Sequence, residues 1–348
     1  MKDALTNFDV YVLARELKPL RFSKIVRIHG GYKVKLVGAP DILFLPPLLI
    51  PTRYVIPADR PDNLSIISRK RLGNRRIKSV EQMNFDRILR FNTEDGAIIL
   101  ELFGDGNIII TDAEGRIVYA IYQRDWRDRS VRRGLYYQPP PAPKIYPGIS
   151  RDEFAGVFTA KDVVRSLVRA GIPPIYAEEL CALAGVDKNL PPSDASSTQI
   201  DALYDALQDL FHRLDAADPV VVRQGDEIVD ILPFPVSKYE SGDYVLEHVP
   251  TLSEALDLLT PSVVSTVPAA PRKEEKSMVE FWKKERDAAE KELQELETML
   301  SEAYAHSSEL LAAMSAAKSG QQPLARIGPF VLKRWDGREV VYDFTPRP

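Results

Sequence analysis

The chain has 348 residues, 45% of them hydrophobic, and a formal net charge of −4, which suits two or three globular domains and excludes a disordered polyampholyte. Its single cysteine, Cys181, cannot close an internal disulfide, and four scattered histidines (His29, His212, His248, His306) cannot join it in a close-spaced zinc motif. The longest apolar run, residues 42–50, is broken by Pro46 and Pro47 and falls far short of the ~20 residues that cross a bilayer; with no export signal at the start, a cytoplasmic protein without metal, cofactor or membrane is expected.

In chain order, residues 6–18 have the pattern of an amphipathic helix, with Thr6 and Asp9 at the spacing of a capping box. Strands follow at 22–29 and 32–38, joined by Gly30 and Gly31, then a short basic helix near 62–72. A meander comes next, with strands at 85–91, 97–103, 107–112 and 116–122 separated by turn-forming Asn, Asp and Gly. Alternation in its first strand puts Phe85, Arg87, Leu89 and Phe91 on one face and Asp86, Ile88 and Arg90 on the other, so a guanidinium enters an apolar row. With Phe91 paired to Ala97, Arg87 faces Glu101 in an ion pair worth about 0.2–1 kcal/mol. Slipped by one residue, it faces Leu102 instead, and both registers stay open.

The net charge hides a split. Residues 1–150 hold 25 Lys+Arg against 16 Asp+Glu, a net of +9, while residues 151–348 hold 21 against 34, a net of −13. The first part is therefore the candidate for polyanion contact. Arg69, Lys70, Arg71, Arg75, Arg76 and Lys78 fall within ten residues that contain no acid. A second cluster sets Arg124, Arg127, Arg129, Arg132 and Arg133 around Trp126. Guanidinium forks match phosphate oxygens and an aromatic ring can stack on a base. The alternatives are a solvated helix end for the first cluster and local pairs with Asp125 and Asp128 for the second.

From residue 151 the pattern turns helical. Residues 163–185 have the layout of two short helices around a Gly-Ile-Pro-Pro turn, the form of a helix-hairpin-helix. Pro173 stands where such hairpins usually carry a second glycine, and it has no N–H to give a phosphate. Another helix runs to about Leu214, and strand-like segments at 219–224, 227–234 and 244–249 return to a sheet. After a linker at 261–271, Val279, Trp282, Arg286, Ala289, Leu293, Leu296, Leu300, Ala303, Ser307, Leu310, Met314 and Ala317 form a seam spaced alternately three and four apart. One continuous helix over that stretch would be roughly 58 Å long and would expose its leucines unless another chain or segment covered them. The last residues suggest a hairpin on the Asp336-Gly337 turn.

The stretches NFDRILRF, AIILELFGDGNIIITD, WRDRSVRRGLYYQPP, SRKRLGNRRIKSVEQ and NFDVYVLAREL together resemble the N-terminal half of the NFACT family, also known as NEMF, RqcH or fibronectin-binding A proteins. The likeness covers about residues 1–317. It implies an α+β fold: a β-rich head at 1–148 related to the N-terminal fold of formamidopyrimidine-DNA glycosylase, a helix-hairpin-helix region at 149–216, and returning strands at 217–260. A long coiled-coil helix at 272–318 and a C-terminal extension at 319–348 complete it. It further implies a non-enzymatic adaptor that binds tRNA and large ribosomal subunits obstructed by peptidyl-tRNA, and takes part in template-free, alanine-rich tailing of the stalled chain. The family's early aspartate falls on Asp9 and its Asp-Arg pair on Asp86 and Arg87, which the resemblance implicates in tRNA engagement. For Asp9 the capping role stays open beside contact. Typical members continue with a second coiled-coil arm and a further α/β domain, which this sequence does not contain. A base-excision glycosylase is disfavoured by the Met1-Lys2-Asp3 start and the lone cysteine, and a surface adhesin by the missing export signal.

Overall fold

The computed structural model describes residues 2–240, 242–265, 273–336 and 339–345. The chain divides into two compact units, Met1–Pro268 and Ala269–Pro348.

In the first unit, α1 (Asn7–Glu16) is launched by the expected capping box: Asp9 N–H donates to Thr6 Oγ1 at 3.2 Å, and Thr6 N–H donates to Asp9 Oδ2 at 2.7 Å. The helix is not amphipathic in its surroundings, because every residue from Asn7 to Ala14 is buried. Four consecutive antiparallel strands follow: β1 (Arg21–Ile28), β2 (Gly31–Val37), β3 (Asp41–Leu45) and β4 (Leu48–Thr52). The apolar run at 42–50 is thus two paired strands turned at Pro46 and Pro47, with Leu45 opposite Leu48. Helix α2 (Asn63–Leu72), capped by Asp62, packs on β1.

The meander gains a strand at its start: β5 (Ile77–Gln82), β6 (Ile88–Thr93), β7 (Gly96–Glu101), β8 (Asn107–Asp112) and β9 (Ile117–Ala120) pair in that order. The two sheets are stitched at one edge, where Phe22 N–H donates to Arg75 O and Ile77 N–H to Leu20 O at 2.9 and 3.0 Å. Strands β7 and β8 are covered on both faces, which is why their sequences read as near-continuous apolar runs. Leu89, Phe91, Ile98, Leu100, Ile108 and Ile110 enter the main core, whereas Ile88, Ala97, Ile99 and Ile109 form a second cluster with Val131. That second face is closed by a small hairpin, β10 (Arg124–Asp125) and β11 (Ser130–Val131).

Helices α3 (Arg151–Ala155), α4 (Val163–Arg169), α5 (Pro174–Leu183) and α6 (Ser197–Asp215) continue the same core. The α4–α5 turn spends its amides internally: Ala170, Gly171 and Ile172 donate to Ser166, Val168 and Leu167. Strands β12 (Val220–Gln224), β13 (Glu227–Leu232) and β14 (Tyr244–His248) form a three-stranded sheet in the order β13-β12-β14. Helix α7 (Leu252–Asp257) then packs on β4, its first amides capped by the Glu16 carboxylate at 2.7 and 2.8 Å. Helix α8 (Thr260–Ser265) ends the described part of this unit, and residues 266–271 of the expected linker lie outside it.

In the second unit the single helix expected over the seam is two, α9 (Lys273–Ala305) and α10 (Ser307–Lys318), interrupted at His306, whose φ and ψ are −104° and 18°. The break coincides with close packing. A Cβ added to Gly328 would fall 2.3 Å from the His306 ring. The sheet β15 (Arg326–Ile327), β16 (Phe330–Trp335) and β17 (Val340–Phe344) packs on α10, where Ala313 and Ala317 are buried. Upstream, Leu293, Leu296 and Leu300 are exposed. The side chains of Val279 and Trp282 lie outside the described residues, as does Gly337 of the expected turn.

Candidate nucleic-acid interface

The Asp86-Arg87 pair does not lie in a strand. Strand β6 starts at Ile88, and the preceding residues form a tight turn in which Asp86 N–H donates to Met83 O and Met83 N–H to Ile88 O, both at 3.0 Å. Asn84 and Phe85 are both left-handed, with φ of 53°. Two successive non-glycine residues in that region cost about 1–3 kcal/mol each, and such strain persists where surroundings hold it and collects at functional sites. Asn92 pairs with Ala97, so Ile88 faces Glu101, and Leu102 N–H donates to Arg87 O at 3.0 Å. The register is therefore the slipped one. Arg87 is released from the apolar row because the turn reorients it, and it makes no ion pair with Glu101.

Glu101 instead meets Arg129. The Arg129 guanidinium donates bidentately to Glu101 at 2.6 and 3.2 Å, and also to Gln138 O at 3.1 Å, while Tyr137 Oη donates to Glu101 Oε1 at 2.8 Å. Both partners are buried, so Arg129 is not an available phosphate contact. Burial first, and then the Glu101 charge, raise the Tyr137 hydroxyl above its ordinary range and keep it a donor.

The turn opens onto a cleft of about 430 Å³ lined by Asp86, Arg87, Phe103, Tyr122, Arg124 and Trp126 among others. Asp86 Oδ1 accepts from the Arg87 backbone N–H at 2.7 Å, which fixes the carboxylate against the turn. Arg87 lies 5.8 Å from the Phe103 ring, Arg129 4.7 Å from Trp126, and Arg124 5.0 Å from Tyr122. Trp126 is 42% exposed, with the Arg129 guanidinium over its ring. A carboxylate acceptor, a guanidinium and an exposed indole in one cleft supply the groups that take a base edge, a phosphate and a base face. Phe103 and Tyr122 carry no sequence signal of their own; Phe103 follows Leu102, which bonds to Arg87, and Tyr122 is held by Asn107 at the start of β8.

The remaining candidates scatter. Asp9 is fully buried, with Lys2 Nζ at 3.0 Å and Thr6 Oγ1 at 2.8 Å, so its carboxylate is enclosed and makes no surface contact. Arg69, Lys70 and Arg71 are exposed in the last turn of α2, favourable positions for cations at a helix C-terminus, and Arg76 is exposed nearby. Arg75 is paired with Asp95 at 2.5 Å. Arg127 is exposed at the tip between β10 and β11, while Arg132 is held by Asp125, Nε lying 2.8 Å from Oδ1. Arg132, with the Ser130 hydroxyl, lowers the Asp125 carboxyl to about 2. A depressed carboxyl keeps its ion pair as pH falls until it protonates at its folded value. An NMR titration should therefore find a midpoint for Asp125 near 2, rising toward the usual carboxylate range in Arg132→Ala. Among the described residues there is no metal-holding group of His, Cys, Asp and Glu, and no helix long and apolar enough to cross a membrane.

The family model for NFACT N-terminal and middle domains matches residues 53–322. This chain belongs to the NFACT family. The archaeal Rqc2 homolog aRqcH of Methanocaldococcus jannaschii is 29% identical over 273 residues, which cover 69% of this chain and 40% of that protein. The ribosome quality control complex subunit NEMF homolog of Drosophila melanogaster is 41% identical over 136 residues, covering 35% of this NFACT chain and 14% of the fly protein. The chain thus spans less than half the length of the curated relatives it matches. The N-terminal part of the fibronectin/fibrinogen-binding protein of Streptococcus suis superposes with a TM-score of 0.57 at 19% identity, over 74% of this chain and 100% of that one, a likeness of fold.

Proposed function

We propose that this chain is the tRNA-engaging part of a cytoplasmic, non-enzymatic ribosome quality-control factor. In this reading it binds tRNA and large ribosomal subunits obstructed by peptidyl-tRNA, and serves template-free C-terminal tailing within the full factor. Its NFACT membership, and its similarity to an archaeal Rqc2 homolog and to a fly ribosome quality control complex subunit NEMF homolog, support the quality-control setting. The observation that carries tRNA contact is the cleft in which Asp86, Arg87 and the exposed Trp126 meet. Arg127 on the β10–β11 hairpin adds a phosphate contact, and Arg69, Lys70, Arg71 and Arg76 supply separate ones away from the cleft, Arg76 preceding the end of β5 that pairs with Thr93; all five are exposed and without ion pairs among the described residues. Pairing of the exposed Leu293, Leu296 and Leu300 with a second chain belongs to the same reading, and a strictly monomeric mass by light scattering would count against it.

The test is equilibrium tRNA binding over a range of salt. Phosphate contact makes log K fall with log salt, and each contact removed flattens the slope by about 0.7–0.9. Charge reversal at Arg71 and Arg76 should flatten it in this way. Asp86→Ala and Arg87→Ala should weaken binding while melting temperatures stay near wild type. Salt-insensitive binding, or undiminished affinity in a folded Asp86→Ala protein, would sink the assignment.

A further inference from the structure

The left-handed turn before β6 is gripped by two side-chain amides, and each amide nitrogen donates twice. Gln82 Nε2 donates to Asn7 O at 2.7 Å and to Asp86 O at 2.9 Å. Asn7 Nδ2 donates to Phe85 O at 3.2 Å and to Gly171 O at 3.1 Å. Both residues sit at element ends, Asn7 as the first residue of α1 and Gln82 as the last of β5, so their own backbones are fixed by helix and sheet. Gly171 belongs to the α4–α5 turn; its φ is +113°, and an added Cβ would lie 2.4 Å from Pro143, so that carbonyl too is held by a backbone only glycine tolerates there.

We propose that Asn7 and Gln82 are positioning residues that lock the 84–87 turn in the conformation which delivers Asp86 and Arg87 to the Trp126 cleft. The inference rests on the reading of that cleft as the tRNA site. Ring packing alone does not supply this lock. Phe85 is seated against Phe8, Tyr11 and Phe211 with centroids 5.6, 5.6 and 5.7 Å away, which anchors its side chain. A flip of the peptide plane between residues 85 and 86 would leave that ring in place while swinging the next two side chains. The two amides oppose such a flip, because it would turn the Phe85 carbonyl away from Asn7 and disturb the Asp86 carbonyl held by Gln82. In this way α1, β5 and the α4–α5 turn act on the site without touching its ligand.

The test uses Asn7→Ala and Gln82→Met, the latter neutral and of similar length, so that neither adds a charge that would itself repel RNA. Hydrogen–deuterium exchange at the amides of residues 83–88 should accelerate in both variants while the β7–β8 core keeps its protection. Unchanged exchange at 83–88 in both would overturn the proposal whatever RNA does. In tRNA binding, Gln82→Met should weaken affinity roughly fivefold, the size expected for losing the one hydrogen bond that Gln82 gives the turn. The same change should add nothing in an Arg87→Ala/Asp86→Ala background, because a positioning residue has nothing left to position. A full additive loss there would overturn the proposal. If the Asp86 and Arg87 substitutions themselves leave tRNA affinity intact, the cleft reading fails, and the exchange result still decides what holds the turn. Should Asn7→Ala fail to fold, the half-buried Gln82 position carries both measurements.

Discussion

Glu101→Ala is expected to destabilise the first unit by about 3–5 kcal/mol in urea unfolding, the usual cost of stripping one partner from a buried ion pair. The guanidinium of Arg129 would stay enclosed with the Trp126 ring and Gln138 O but no carboxylate among the described residues, and the Tyr137 hydroxyl would lose its acceptor. An exposed pair would lose no more than about 1 kcal/mol, so the measurement separates the two situations sharply. Arg87→Ala supplies the contrast. Its guanidinium has no carboxylate partner among the described residues, and its loss should cost under about 1 kcal/mol. A loss of about 1 kcal/mol or less for Glu101→Ala would refute the buried pair with Arg129.

Asp9→Ala is expected to cost about 3 kcal/mol or more, by adding the loss of a helix cap to the exposure of an unmatched buried charge. Lys2 Nζ would keep Ile231 O at 2.6 Å and Asp230 at 3.7 Å, but would lose its nearest carboxylate. Asp9→Asn keeps an acceptor for the Thr6 hydroxyl and amide and should cost less. The alternative role as an RNA contact makes the opposite forecast: tRNA binding lost with the melting temperature unchanged. Thermal melts and tRNA affinity measured on the same Asp9→Ala protein therefore decide between the two, and a stable protein with impaired binding would refute the buried-cap account.

Local chemistry was legible in the residues wherever it depends on neighbours in sequence. The Thr6-Asp9 box, the paired strands β1 and β2, the β6–β9 meander with its Gly-rich turns, and the two helices around Gly171 all follow from spacings of a few residues. Charge clumping likewise placed Arg69, Lys70, Arg71 and Arg76 on the surface, because unpaired cations resist burial. The resemblance to the NFACT family rested on the same kind of ordered, local stretches, and the family model matches across most of them.

Tertiary structure alone decided the rest. Alternation assigns Arg87 to an apolar row only if residues 85–91 are extended, and two left-handed residues, in a turn held by the distant Asn7 amide as well as by nearby Gln82, break that premise. Arg129 looks like its neighbours Arg127 and Arg132 in sequence, yet it is buried because Glu101, on a strand covered on both faces, must find a cation. The same asymmetry governs Asp9, which satisfies a local cap and a distant lysine at once. Sequence determines which groups can ionise, cap or turn; which of them meet solvent depends on contacts between segments far apart in the chain, and no local spacing encodes those.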